Sequence, residues 1–107
     1  MDHERRRSPR YPLIAEAEIV EVRSNVPLNA KTSDVSLMGC FMNAERSLPT
    51  GTEIRVRLRL NNATFTSNGV IARAQPMGMG VSFSGVKKDQ EEVLRKWLAE
   101  ISRGEAN

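Results

Sequence analysis

The sequence feature that most constrains the fold is an alternation of apolar and charged residues over positions 52–60. Every second position is apolar: Ile54, Val56, Leu58 and Leu60. The positions between them are charged: Glu53, Arg55, Arg57 and Arg59. Because successive side chains of a strand point to opposite faces, this period of two predicts a β-strand with one buried face. The chain must therefore build a sheet whose other face meets solvent.

Further strands are predicted on both sides of this one. Apolar and β-branched stretches mark residues 11–23, 28–35, 39–43, 63–74 and 79–84. Gly, Pro and Asn punctuate the intervals, and Asn61-Asn62 suits a tight hairpin turn because asparagine tolerates positive φ. We expect a β-bulge at Ile19-Val20, where the alternation breaks, and a bulge or a bend at Gly69.

The period changes near the C-terminus. Leu94, Trp97, Leu98 and Ile101 recur at helical spacing and form one apolar stripe, which predicts a helix over residues 89–103. Its start carries Asp89 and Glu92, which suit a capping box, and Gly104 suits its end. The fold class is therefore mainly β, a small antiparallel barrel with a C-terminal α-helix packed on it.

Bulk properties limit the organisation and the partners. The chain has 107 residues, which fits a basic N-terminal arm over residues 1–10 and a single domain over residues 11–107. The net charge of +3 favours an anionic partner but is too mild to demand nucleic acid. No apolar run is long enough to span a bilayer, and the lone Cys40 fits a reducing compartment. We expect a cytoplasmic protein.

Two short segments carry the candidate chemistry. The first is Arg5-Arg6-Arg7-Ser8-Pro9-Arg10, where the proline excludes a helix and leaves the arginines on extended chain. Four extended residues span up to roughly 13 Å, so Arg6 and Arg10 can reach two separate anionic or guanine-like groups. The second is Asp34-Val35-Ser36-Leu37-Met38-Gly39, which places a carboxylate and a hydroxyl at the end of a predicted strand, followed by a glycine.

The order and spacing of these segments resemble the PilZ domain, a bacterial receptor module for cyclic di-GMP. The first segment matches its Arg-x-x-x-Arg motif, and the second matches Asp/Asn-x-Ser-x-x-Gly. The resemblance continues through Leu48-Pro49-Thr50-Gly51, Gly78-Met79-Gly80-Val81-Ser82-Phe83 and the final helix. It implies a six-stranded antiparallel barrel and a receptor or adaptor that takes cyclic di-GMP as a ligand and needs no cofactor.

The resemblance implies a set of ligand contacts. Arg6 and Arg10 are expected at the guanine edge, a base face or a phosphate, since the guanidinium fork suits all three. Asp34 is expected to accept from guanine N1–H and N2–H₂ or to orient an arginine. Ser36 is expected to bind the base or a phosphate, and Gly39 to allow close backbone approach.

Four further residues are candidates for additional contacts: Arg5, Arg7, Gly78 and Gly80. A basic residue at position 5 is similar to that of family members which take a stacked pair of dinucleotides, although it also suits a solvated tail. Met77 and Met79 either line the site beside the glycines or fill the core. Ligand binding is expected to order the arm, which then presents a new surface to a downstream protein.

Other function classes find less support. No catalytic constellation, metal-ligand cluster or phosphate loop is visible, so neither an enzyme nor a metal site is expected. A small-barrel binder of single-stranded nucleic acid needs exposed aromatic residues, whereas Phe41, Phe65 and Phe83 lie among apolar strand residues. A PilZ-like interaction module without ligand is the other alternative, and the complete motifs count against it.

Overall fold

The computed structural model describes residues 8–104, which form seven strands and one helix. The elements are β1 (Tyr11–Pro12), β2 (Glu16–Glu21), β3 (Pro27–Val35), β4 (Gly39–Asn43), β5 (Glu53–Leu60), β6 (Ala63–Gln75), β7 (Gly78–Ser84) and α1 (Lys88–Ser102). Every strand pairing is antiparallel.

Six strands close into a barrel. The pairing order is β3-β2-β5-β6-β7-β4, and β4 returns to pair with β3, so the sheet has no open edge within this ring. The short β1 adds to β3 outside the ring. This confirms the predicted six-stranded barrel with a C-terminal helix, to which the structure adds one extra strand.

The alternation of apolar and charged residues predicted over positions 52–60 is confirmed in β5. Ile54, Val56 and Leu58 are buried in the core, while the charged residues between them are exposed. The turn into β6 has φ of 53° at Asn61 and 70° at Asn62, the left-handed conformation predicted for this pair. The β5–β6 pairing that follows is unbroken from end to end.

The first predicted strand is interrupted. Residues 13–15 separate β1 from β2 because the chain turns its backbone toward a buried side chain. The Thr32 hydroxyl donates to the Leu13 carbonyl at 2.6 Å and accepts from the Ala15 amide at 2.8 Å. These two bonds add to the backbone bonds from the Leu13 amide to the Ser33 carbonyl at 3.3 Å and from the Thr32 amide to the Ala15 carbonyl at 3.0 Å.

The structure has no β-bulge at Ile19-Val20 or at Gly69. The pairings of β2 run without a shift through Ile19 and Val20, and those of β6 run without a shift through Gly69. The register shifts lie instead between Thr32 and Asp34 and between Ile71 and Arg73, so Ser33 and Ala72 are the extra residues. A bulge depends on the partner strand's register, which a single strand's composition does not show.

The C-terminal helix begins one residue before the predicted start. Its N-cap is Lys87, which makes no side-chain cap hydrogen bond, so the predicted capping box of Asp89 and Glu92 is wrong. The apolar stripe is confirmed, since Leu94 and its neighbours of the same face are buried. Gly104, with φ of 76°, follows the C-cap as expected. Within residues 8–104 no helix is long and apolar enough to cross a membrane.

The helix closes the core from outside the ring, which gives a stability prediction. We expect Leu94→Ala to lower the free energy of unfolding by about 2–5 kcal/mol, because the fully buried side chain leaves a cavity. Lys96→Ala, at an exposed position of the same helix, should stay within about 0.5 kcal/mol of wild type. Chemical denaturation measures both. Equal stabilities would show that α1 does not depend on this packing.

Candidate functional site

The two candidate segments meet on the outside of the barrel. The Arg10 guanidinium donates from Nη1 to Asp34 Oδ1 at 2.6 Å, although 24 residues separate them in the chain. The pairing of β1 with β3 explains the contact, because it places Pro12 opposite Asp34 and so brings the root of the arm to the end of β3. The Arg10 side chain is 56% exposed and that of Asp34 33% exposed, so both remain accessible to a ligand.

Ser36 lies in the turn that follows β3, and its hydroxyl bonds to the turn itself. Ser36 Oγ accepts from the amides of Met38 at 3.1 Å and Gly39 at 3.2 Å. The Ser36 amide donates to the Gly39 carbonyl at 2.8 Å. The residue is 4% exposed. Ser36 therefore shapes the β3–β4 hairpin, which positions Asp34 at its entrance.

Gly39 is required by a close backbone approach. A Cβ at this position would lie 2.0 Å from the Val81 carbonyl oxygen of β7 and 3.1 Å from its carbon. Backbone atoms cannot move aside as the end of a side chain can. The glycine thus lets β4 pair with β7 directly after the turn, in register from Gly39 opposite Ser82.

Cys40 lies beneath the Arg10–Asp34 contact and faces the core. The pKa of its thiol is raised to about 12, mainly because burial disfavours the thiolate; the Asp34 carboxylate also raises it, while Arg10 acts to lower it. The thiol is therefore protonated near neutral pH and unreactive as a nucleophile. This agrees with its interpretation as a small buried apolar residue.

Part of the predicted site lies outside the described residues. Arg5, Arg6 and Arg7 precede residue 8, so their position relative to Asp34 stays a prediction. Gly78 and Gly80 lie on β7 and are both buried, so neither is exposed for the additional ligand contact predicted for it. A Cβ at Gly78 would lie 2.6 Å from the Phe41 ring, and one at Gly80 would lie 3.6 Å from Arg73 Cβ. Met79 is fully buried and fills the core, one of the two predicted possibilities. Met77 is 66% exposed in the turn before β7, so it does not fill the core.

The sequence did not predict that one aromatic residue faces outward beside Asp34. Phe41 is half-buried and lies on the exterior, because Cys40 and Met42 on either side of it point inward and are fully buried. In the register it stands directly opposite Asp34. Cys40, Phe41 and Met42 are all apolar, so their sequence does not show which of them face outward. Only the pairing with Asp34 on the neighbouring strand indicates that Phe41 does.

A large open cavity lies elsewhere on the described part of the chain. It has about 1130 Å³ and lies at the other end of the β3–β4 pair, where Ile14, Leu60, Met77 and Ile101 line it. None of Arg10, Asp34, Ser36 and Gly39 contributes to it. Among residues 8–104 no group of three or more His, Cys, Asp and Glu could hold a metal ion. The candidate site is an open surface and not an enclosed pocket.

Comparison with protein families identifies the fold. The model of the PilZ domain matches residues 4–100, which includes both candidate segments and all seven strands. The chain belongs to the PilZ family. A comparison with curated protein sequences returned no match.

Solved PilZ structures share the fold at low sequence identity. The PilZ domain of CeSA from a cellulose-synthesizing bacterium has a TM-score of 0.70 at 17% identity, covering 87% of this chain and 97% of that one. The PilZ domain of Escherichia coli YcgR with cyclic di-GMP has a TM-score of 0.78 at 15% identity, covering 94% and 93%. The Bacillus subtilis inhibitor of motility MotI/DgrA has a TM-score of 0.78 at 12% identity. That match covers 94% of this chain and 53% of MotI/DgrA, so this chain spans about half the length of that protein.

The contact at Gly39 predicts a strong effect from one methyl group in this PilZ domain. We expect Gly39→Ala to lower the free energy of unfolding by about 2–3 kcal/mol, because its Cβ would overlap the β7 backbone. The matched control is Gly80→Ala, whose Cβ would meet only ordinary contacts, the nearest at 3.6 Å, and should stay within about 1 kcal/mol of wild type. Urea denaturation compares the two. Equal losses would contradict the assigned role of Gly39.

Burial of Cys40 predicts slow labelling. The folded domain should not react with a thiol reagent near neutral pH, whereas the denatured chain should react at once. Below pH 9.0 the thiol is protonated in both states. Above it the unfolded chain ionises first, so stability should fall as pH rises from 9.0 toward about 12. Rapid labelling of the native protein, measured by mass spectrometry, would show that Cys40 is accessible.

Proposed function

We propose that this PilZ domain is a receptor for cyclic di-GMP, held by Arg6, Arg10, Asp34, Ser36 and Gly39. The observation that carries the proposal is the contact between Arg10 and Asp34, which joins the two motif segments at one exposed point of the barrel surface. The YcgR domain that shares this fold carries cyclic di-GMP in its structure, which supports the same ligand class here.

The geometry of Arg10 and Asp34 suits exchange of partners with a ligand. An exposed ion pair of this kind contributes only about 0–1 kcal/mol, so breaking or bending it costs little. Only Arg10 Nη1 and Asp34 Oδ1 bond to each other among the described residues. The other guanidinium donors remain for a guanine O6/N7 edge or a phosphate, and the other carboxylate oxygen for guanine N1–H and N2–H₂.

Ser36 and Gly39 contribute to the same site through the turn. In this proposal the Ser36 hydroxyl exchanges one of its bonds to the turn for a ligand contact, because its two lone pairs already accept from the amides of Met38 and Gly39. Gly39 lets β4 pass close to β7 directly after the turn, which holds the hairpin beside Asp34 in place. Both residues thus favour close approach of a flat ligand to the hairpin.

We further propose that ligand binding orders the N-terminal arm over the ligand. Fixing about eight residues costs on the order of 8–16 kcal/mol of backbone entropy. Charge-assisted hydrogen bonds of about 1.5–3 kcal/mol each must offset that cost, which requires several arginine contacts at once. The anchor of Tyr11 and Pro12 on β3 reduces the cost, because the root of the arm is already held beside Asp34.

The ordered arm would present a new surface to a downstream protein. In this proposal the domain signals through that surface and catalyses no reaction. Arg5 and Arg7 add positive charge around the ligand, and Arg5 suits a second, stacked dinucleotide. A cytoplasmic location follows from the proposed ligand and stays a prediction.

Isothermal titration calorimetry with cyclic di-GMP tests the proposal. We expect saturable binding by the wild type, and at least tenfold weaker binding by Arg6→Ala and by Arg10→Ala, about 1.4 kcal/mol each. The matched control is Arg57→Ala, an exposed strand arginine bonded to Glu18 at 3.3 Å on another part of the barrel, which should keep the wild-type affinity. The molar ratio of ligand to protein at saturation distinguishes one bound dinucleotide from a stacked pair.

The possible outcomes separate the parts of the proposal. If the wild type does not reach saturation, cyclic di-GMP is not its ligand. If it binds a single-stranded oligonucleotide more tightly, it is a nucleic-acid binder instead. Wild-type affinity in both arginine variants would remove the site. Amide signals of residues 5–10 that do not change on saturation, measured by NMR, would remove the ordering of the arm.

A further inference from the structure

The first strand of the barrel is interrupted close to the candidate site. β1 and β2 both pair with the edge of β3 that β4 does not occupy. β1 ends with Pro12 opposite Asp34, and β2 begins with Glu16 opposite Lys31. Between these two pairs the chain has three residues on its first strand but only two on β3. The break therefore holds one extra residue, as a β-bulge does.

One buried hydroxyl bonds to the backbone on both sides of the break. Thr32 Oγ1 donates to the Leu13 carbonyl at 2.6 Å and accepts from the Ala15 amide at 2.8 Å. Thr32 is 1% exposed, whereas Ile14, between the two bonded residues, is 73% exposed. The chain thus bends outward around the hydroxyl. A hydroxyl group can donate and accept at the same time, which neither an apolar side chain nor a carboxylate can do.

The pairing of β1 by itself holds the root of the arm only weakly. β1 has two paired residues, and one of them is Pro12, which has no backbone N–H to donate. The ion pair between Arg10 and Asp34 is exposed and adds little. The bond from Thr32 to the Leu13 carbonyl is buried, and a buried hydrogen bond is electrostatically stronger than one in water. It is an anchor three residues from Arg10, about 10 Å of extended chain.

Burial of the Leu13 side chain is a second anchor of this segment, and it acts differently. Leu13 is 5% exposed and belongs to the core. Apolar contact is non-directional, so it keeps Leu13 inside the barrel without fixing the direction of the backbone around it. The bonds of Thr32 are directional, because hydrogen bonds weaken steeply as they bend. The hydroxyl therefore sets the direction in which the chain runs from the break toward Arg10.

We infer that Thr32 is a positioning residue for ligand binding, whose hydroxyl fixes the root of the arm so that Arg10 stands beside Asp34. The inference rests on the proposed function and extends it to a residue outside both motifs. Thr32 does not contact a ligand itself, because its side chain is buried inside the barrel. Its effect on affinity passes through the backbone of residues 10–13.

Titration of variants with cyclic di-GMP tests the inference. Thr32→Val keeps the size of the side chain but removes both hydrogen bonds, and should weaken binding about 3-fold to 10-fold, the range of one net hydrogen bond. Thr32→Ser keeps the hydroxyl and should stay within about twofold of wild type. The control for a general loss of stability is Val56→Ala, a core substitution on β5, which should keep the wild-type affinity as long as the domain is folded.

A second set of titrations asks whether Thr32 acts through Arg10. In the Arg10→Ala background, Thr32→Val should weaken binding by less than about twofold, because the contact that the hydroxyl positions is already lost. An equal loss in both backgrounds would show that Thr32 affects the ligand by another route and would overturn the inference.

The ligand-free protein reports the position of the root of the arm directly. Nuclear Overhauser contacts between the protons of Tyr11 and Pro12 and those of Asp34 and Val35 measure the pairing of β1 with β3. We expect Thr32→Val to weaken or lose these contacts and Thr32→Ser to keep them. Unchanged contacts in folded Thr32→Val would show that the hydroxyl does not hold the segment.

The outcomes distinguish this inference from the proposed function. If the wild type and Thr32→Val bind equally well, Thr32 has no positioning role and the motif site stands. If the wild type does not bind, the proposed function fails and the positioning role fails with it. Where Thr32→Val does not fold, Thr32→Cys takes its place beside Thr32→Ser, since the two differ only in the bonding atom and a thiol is a weak donor. Equal affinity of those two variants would then overturn the inference.

Discussion

The closure of the barrel between β3 and β4 is the constraint on which the rest of the structure depends. The strands meet through a tight turn in which Ser36 Oγ accepts from the amides of Met38 and Gly39. Directly after it, Gly39 passes the Val81 carbonyl at a distance that excludes any side chain. The turn leads directly into the β3–β4 pairing that completes the ring. The residues of the second motif are therefore part of the closure of the barrel.

Asp34 shows how the same closure creates a binding surface. β3 enters the turn with Val35 in the core, and the bulge at Ser33 lets Asp34 next to it face outward. The short β1 then has only one place to pair, alongside the end of β3, which brings Arg10 to the carboxylate. A structural requirement of the barrel thus positions an acid and a base from distant parts of the chain at one exposed point.

Much of this fold could be predicted because its signals are local. The alternation in β5 reports a period of two whatever the neighbouring strands are, and Asn61-Asn62 reports a backbone conformation that few residue types adopt. The apolar stripe on α1 is equally local. The boundaries of β4 and β5 were accordingly predicted to within one residue.

The features that could not be predicted are those that depend on a partner strand. The bulges lie at Ser33 and Ala72, where composition gives no sign, and not at the broken alternation or the glycine that suggested them. Gly69 serves close packing, since a Cβ there would approach the Ser82 carbonyl to 3.0 Å. The start of α1 lacks its predicted cap because Lys87, and not the residue that suits an N-cap, holds the extended conformation before the helix.

The candidate site divides in the same way. The motif residues could be found by their spacing along the chain, because Arg10 and Asp34 are each marked by neighbours in sequence. Phe41 could not, since an apolar residue between Cys40 and Met42 gives no indication of which face is wet.

A ligand surface on a closed barrel also separates binding from stability. The core residues beneath this surface, such as Cys40 and Met79, are fully buried. The exterior groups are held weakly, by one exposed ion pair and by ordinary contacts. Rearranging them costs little compared with opening the ring, so a receptor built this way can change its surface on binding while the barrel keeps its shape. Under the proposed function, the free energy of ligand contacts would then serve to order the arm and not to rebuild the barrel.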